Sequence, residues 1–404
     1  MPGIRASFTL LITLPVFAVA ATGWSDRESR LLASLSLSKL DPAPTSPSNR
    51  YAGNPAAAAL GKRLFFDKQL SGSGELSCAT CHQPGMHYTD GLARSQGAGE
   101  AMRNSPTLVG TAYNRWFYWD GRRDSLWAQA LIPFEAADEM GSSRVGVLRV
   151  VAEDDGYHTD YQHVFDTSID IDFEGLPEHA GPFGDDAARK AWATLSHEDQ
   201  ERINTAYANI GKAIAAFERT LMPAETRFDR FVDSLDSRDA KVAFSKREAA
   251  GARLFLDADK TQCLQCHNGP LLTNGEFHNI GSGNFSGDTL DFGRSIGLRA
   301  VLMDEFNCLG PYSDAEQYEC RELLFLNTDS HLPLRGAFKV PTLRGLNRTA
   351  PYFHDGRFET LREVLEFYND PPSTELAGPH ELKPLGLTDE QLGQLEAFLL
   401  TFSD

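Results

Sequence analysis

Cys78-Ala79-Thr80-Cys81-His82 and, far downstream, Cys263-Leu264-Gln265-Cys266-His267 are the stretches that decide how this chain folds. Each is a C-x-x-C-H pattern, in which two thiols can form thioethers to a haem and the adjoining histidine can ligate its iron. A zinc site needs four ligands gathered in one compact cluster. Here each motif carries a complete attachment signature at a distance from the other. The pair predicts two covalent c-type haems, one on Cys78, Cys81 and His82 and one on Cys263, Cys266 and His267.

The sequence around the motifs repeats as well. Gly61-Lys62-Arg63-Leu64-Phe65-Phe66-Asp67 precedes the first, and Gly251-Ala252-Arg253-Leu254-Phe255-Leu256-Asp257 precedes the second. Each closes a helix, one opened by Asn54-Pro55 and the other by the capping box Ser245/Glu248. Downstream, Pro106-Thr107-Leu108-Val109-Gly110 matches Pro341-Thr342-Leu343-Arg344-Gly345. Asp120-Gly121-Arg122 then matches Asp355-Gly356-Arg357, with 14 residues from proline to aspartate in both. Strand signals are few. The expectation is a mainly α fold of two cytochrome c-like haem domains related by an internal repeat, over 21–235 and 240–404, with the boundary within Asp233–Ala243. Between the motifs, Ser196 and Asp199 cap a helix whose stripe Ile203, Tyr207, Ile210, Ile214, Phe217 and Leu221 reads as core and nothing more. The acidic stretch Asp170–Asp186 reads as a surface loop, and residues 268–340 hold an insertion.

The 404 residues, 41% hydrophobic, suffice for two domains. Residues 1–20, MPGIRASFTLLITLPVFAVA, set Arg5 before an apolar run that ends on Ala18-Val19-Ala20, the pattern of a secretory signal peptide, so the chain is expected in the periplasm. No later stretch is long and apolar enough for a membrane span. A net charge of −18 argues against nucleic acid as a partner and suits a basic protein, although acidity also simply solubilises a surface. In an oxidising compartment the two remaining cysteines, Cys308 and Cys320, are expected to form a disulfide, which stabilises by about 3 kcal/mol at most. Two buried thiols are the alternative.

The repeat also gives a register over the irons. Counting 13 residues past each aspartate lands on Pro133 in the first half and on Tyr368 in the second. Tyrosine is an attested haem ligand. Proline has no donor atom to offer. Tyr368 can equally be an aromatic on a helix face, and His278, Met303 and His331 compete for the second iron. In the first half the register sets Trp119 opposite His354 and puts Gln129 and Glu139 on the segment that covers the haem. A glutamate beside an open iron can carry a proton from one peroxide oxygen to the other. Glu135 is its rival, and a solvated helix face explains either. Trp116, Phe117, Tyr118 and Trp119 are core packing by default, or one of these rings carries an electron between haems.

These residues together resemble the bacterial di-haem cytochrome c peroxidases and their MauG-type relatives. The resemblance spans nearly all of the chain after the signal: both haem motifs, Trp119-Asp120-Gly121-Arg122, Gln129, Pro133, Glu139-Met140-Gly141, Phe338–Arg344 and Ala350–Gly356. It implies that His82 holds the peroxidatic haem with Glu139 and Gln129 in its distal pocket, that Trp119 lies between the haems, and that His267 holds the electron-transfer haem. It also implies a calcium ion bound by the Asn104 side chain and the carbonyl oxygens of Thr349 and Pro351, hard oxygen donors suited to that cation. Many peroxidases of the family place methionine where Tyr368 stands, and the MauG-type branch has tyrosine. Many also hold a distal histidine in the loop that here reads Ser95–Ala101 and has none, while His87 lies only five residues beyond His82. The first iron is therefore expected to be open at rest. The leading expectation is reduction of hydrogen peroxide with electrons from a small c-type cytochrome or cupredoxin. A MauG-type enzyme that oxidises aromatic residues of a partner protein is the alternative, and a non-catalytic di-haem carrier the third. The sequence leaves the oligomeric state open, a dimer included.

Overall fold

The computed structural model describes residues 23–235, 242–283, 290–326, 334–372 and 379–403. The signal segment 1–20, His331 and much of the expected boundary lie outside them. Among the described residues the chain forms fourteen α-helices: α1 (Asp26–Ser34), α2 (Pro55–Phe66), α3 (Cys78–Cys81), α4 (Leu126–Glu135), α5 (Arg144–Glu153), α6 (Asp155–Phe165), α7 (Asp186–Ala193), α8 (His197–Glu218), α9 (Arg227–Asp233), α10 (Lys246–Leu256), α11 (Arg294–Leu302), α12 (Arg321–Leu324), α13 (Leu361–Asn369) and α14 (Asp389–Leu399). One two-stranded antiparallel sheet joins β1 (Phe277–Asn279) to β2 (Ala337–Lys339), with His278 opposite Phe338. The fold is mainly α.

The helix starts follow capping chemistry. The Asn54 side chain accepts from the amides of Ala56 and Ala57, with Pro55 at the first helical position, and Ser245 with Glu248 closes a full capping box on α10. The same crossing then appears twice. At Gly61, α2 lies so close to α8 that a Cβ would run into the Ala213 carbonyl, and at Gly251, α10 meets the Gln394 carbonyl of α14 in the same way. Beside each crossing a phenylalanine pair packs, Phe65 with Phe217 at 5.2 Å and Phe255 with Phe398 at 5.4 Å. Further on, Phe117–Arg123 and Tyr352–Phe358 form matching isolated bridges. Each encloses a non-glycine residue at positive φ, Tyr118 at 66° and Phe353 at 74°.

Two large cores result, and they do not divide at one cut in the sequence. Phe306 and Tyr312, from the insertion, belong to the core built on α2, α4, α5 and α8. Leu32, Leu35, Phe228, Phe231 and Val232, all N-terminal to the expected boundary, belong to the core built on α10, α13 and α14. Each core therefore draws segments from both sides of the expected boundary, because contacts, not chain order, decide where apolar side chains are buried. The acidic 170–186 stretch is likewise more than a surface loop: Ala180 is fully buried and a 3₁₀ turn spans Phe173–Gly175.

Insertion and first half are joined by polar groups. Glu305 pairs with the fully buried Arg144, Asn204 of α8 donates to Glu305 and Tyr312, and Lys212 of α8 pairs with Asp314. Cys308 and Cys320 are joined by a disulfide that closes this segment, their Cα atoms 5.5 Å apart.

Candidate active site

α3 carries the first motif. His82 follows it directly, and its Nδ1 lies 3.0 Å from the carbonyl oxygen of Tyr88. That hydrogen bond fixes the tautomer and leaves Nε2 as the metal-facing nitrogen. The second motif is built alike, with His267 Nδ1 3.0 Å from the Leu272 carbonyl. Tyr88 and Leu272 both take positive φ, 58° and 55°, so each turn bends back under its histidine. Thr107 ties the first turn through the His87 carbonyl at 2.5 Å, and Thr342 ties the second through the Leu271 carbonyl at 2.6 Å. Burial lowers the pKa of both imidazoles, His267 to about 4, which keeps them neutral and able to ligate.

A cleft opens beside His82. Its walls bring together Cys78, Cys81, His82, Gln129, Pro133 and Glu139. A c-type haem fits these donors: both thiols are free and the imidazole is pre-oriented, and the Gln129 Oε1 is buried in the cleft without a hydrogen-bond partner among the described residues.

α4 positions the opposite wall. Pro133 interrupts that helix from within and has no N–H for the Gln129 carbonyl, which the Tyr118 hydroxyl approaches at 3.5 Å. Glu139 follows in the turn after α4, where burial raises its pKa, partly countered by Arg122. Glu135, its rival in the sequence, is not in the cleft. It is 2% exposed and pairs through Oε2 with Arg144 Nε at 3.0 Å. Glu139 thus faces the cleft and Glu135 holds the core.

In the second half, Tyr368 lies near the end of α13, and burial together with the thiols of Cys266 and Cys263 raises its pKa. It shares the second motif's surroundings. Of the competing ligands, His278 also lies beside the second motif, close to Cys266, but both its ring nitrogens are engaged, Nδ1 with Glu381 at 2.7 Å and Nε2 with Asn274 at 3.2 Å, and Met303 is 86% exposed. His87 turns away from the first cleft and packs its ring against Gly345.

Between the halves, the Trp119 indole N–H donates to the Asn104 carbonyl at 2.9 Å, and the Asn104 N–H donates to the His354 carbonyl at 2.8 Å. The Lys339 N–H meets the Trp119 carbonyl at 2.8 Å. Trp119 is thereby fixed to both halves. The Asn104 side-chain nitrogen donates to Leu92 at 2.8 Å, so its oxygen is the atom left to bind a cation. One group in the first cleft was not foreseen from the sequence: Glu218, the last residue of α8, is 4% exposed and lines the cleft.

Two thioether motifs with oriented histidines on a helical scaffold define a class, the c-type di-haem oxidoreductases. The family described as di-haem cytochrome c peroxidase matches residues 55–237. The methylamine utilization protein MauG of Methylorubrum extorquens is 32% identical over 384 residues, covering 95% of this chain and 88% of that protein. The cytochrome-c peroxidase IdrP1 of Denitromonas iodatirespirans is 32% identical, covering 89% and 85%. Among solved structures, the diheme peroxidase BthA of Burkholderia thailandensis superposes with a TM-score of 0.62 at 22% identity over 91% of this chain and 89% of that one, a likeness of fold. The chain belongs to the di-haem cytochrome c peroxidase and MauG family, and its two cofactors are c-type haems.

Proposed function

We propose that the chain is a periplasmic peroxidase that reduces hydrogen peroxide to two waters, taking two protons from solvent and two electrons from a small c-type cytochrome or cupredoxin. The observation that carries this reading is the shared cleft of His82, Gln129, Pro133 and Glu139. A haem held there by Cys78, Cys81 and His82 would supply redox-active iron for cleavage of the peroxide bond. Pro133 brings no donor atom to this cleft. Glu139 takes the proton from one peroxide oxygen and delivers it to the other, which departs as water, while the Gln129 amide orients the substrate. Tyr368 with His267 would hold the second iron, and Trp119 would carry electrons between the sites.

The proposed division follows the repeat, with the first haem domain within 21–235 and the second within 240–404, each core completed by segments of the other. Export by residues 1–20 fits this chemistry. Among the described residues no helix is long and apolar enough to cross a membrane. Asn104 with the Thr349 and Pro351 carbonyls is proposed to hold calcium between the halves.

A second reading, oxidation of aromatic residues on a partner protein, is favoured by the tyrosine at 368 and by the 32% identity to a MauG. One set of measurements on the purified holoprotein separates these readings. Two irons and one calcium per chain are expected, with one high-spin and one low-spin ferric haem and fast peroxide turnover with reduced cytochrome c. Slow turnover with a long-lived oxidised state supports protein modification. Two low-spin haems inert to peroxide overturn the open-site reading.

A further inference from the structure

Glu218 is the one buried carboxyl of the first cleft that the proposed chemistry leaves without a task. It ends α8, is 4% exposed, and its Oε2 has no hydrogen-bond partner among the described residues. It shares the cleft with Cys78, whose thiol its charge disfavours ionising. In the second half, where Phe398 of α14 packs on Phe255 as Phe217 of α8 packs on Phe65, the next residue is Leu399. The apolar residue suits a site that only passes electrons, and the acid stands at the site that meets peroxide.

We propose that Glu218 is a redox-linked proton carrier of the His82 cleft: it is protonated while the iron there is reduced, and it releases its proton when that iron is oxidised. One electron leaves to the oxidant and one proton leaves to water, so the positive charge gained at the metal is offset by the carboxylate formed. A dry cleft demands such compensation because an unbalanced buried charge is expensive. Burial alone raises the Glu218 pKa to about 8, so the acid is neutral near pH 7 until a nearby charge draws the proton off.

Neighbouring elements supply no competing partner. α3 offers Cys78 and Cys81, which thioether bonds remove from titration, and α2 directs Arg63 to Asp154 and Asp160. α4 offers the uncharged Gln129. His82 is held by the Tyr88 carbonyl, and Glu139 stands in the turn after α4. The inference rests on the reading that His82 holds a haem, and not on peroxide turnover.

The test is a spectroelectrochemical titration of the His82 haem in the full holoprotein from pH 6 to 10. In the wild type its reduction equilibrium should weaken tenfold, about 59 mV, per pH unit across part of that range, since higher pH favours the form that has lost a proton. Glu218→Gln should remove the slope and Glu139→Gln should keep it. Redox-difference infrared spectra of the wild type should show a protonated carboxyl band in the reduced state only. A flat wild-type profile overturns the proposal, as does a slope that survives Glu218→Gln or disappears in Glu139→Gln. If Glu218→Gln fails to mature, Glu218→Asp should move the sloping interval along the pH axis, and an unmoved interval overturns the proposal. A wild type with the slope but no peroxide turnover would defeat the functional reading and leave this one standing.

Discussion

The two haem motifs are built on one frame and differ at the positions around them. Both have a histidine held by a backbone carbonyl at 3.0 Å, a threonine tie, and a helix crossing seated on a glycine. At the register position proposed to lie over the iron, however, the first half has Pro133 and the second Tyr368. At the end of the crossing helix the first half sets Glu218 and the second Leu399, and in the bridging turn Trp119 stands where the second half has His354. The lesson is that attachment and orientation belong to the frame, and reactivity to a few substitutions within it. Duplication can thus yield an electron-passing site and a substrate site from one set of backbone rules.

Several substitutions would erase this contrast or sharpen it. Pro133→His, which puts a donor where the second half has its ligand, should give two low-spin ferric haems by electron paramagnetic resonance and all but abolish the peroxide reaction of the resting protein. If an open first haem persists, the register over the irons is wrong. Glu139→Gln should leave both spectra nearly intact and slow peroxide cleavage by about 10²–10⁴ in stopped flow. It should also remove a pH limb. Because burial raises the Glu139 pKa, and only the ionised form can accept the peroxide proton, the wild-type rate should climb with pH through a value above the ordinary carboxylate range. Glu135→Gln should do the reverse. Breaking its buried pair with Arg144 should cost about 3–5 kcal/mol of stability in denaturant unfolding, with no change in that pH limb. Tyr368→Met, the smallest change, should raise the second haem's potential, since a neutral thioether stabilises ferric iron less than a phenolate does. An unchanged potential would remove Tyr368 from that iron.

How far the sequence spoke depended on how local the signal was. Haem motifs, the caps at Asn54 and Ser245, and the offset that relates Pro133 to Tyr368 are short-range patterns, and each could be read directly. Glu135 and Glu139 were indistinguishable as letters. Only the fold shows that one meets Arg144 and the other the cleft. Glu218 reads as a charged residue closing a helix, where solvent is the default surrounding. Its burial arises because α8 packs against α2 and α4, a long-range event without local trace. For the same reason the stripe on α8 was read as core alone, although Ile214 and Glu218 line the cleft and Leu221 falls beyond the helix end.

The exchange of segments between the cores bears on how the molecule comes into being. Phe306 and Tyr312 are made long after the rest of the first core, and Leu32 and Leu35 long before the rest of the second. During synthesis the first half therefore waits, with part of its core uncovered, for residues almost a hundred positions beyond its last helix. Contacts of such sequence separation slow folding, because loop closure precedes the burial it permits. Once both cores are complete, neither half can open without uncovering part of the other, and the chain should unfold as one unit.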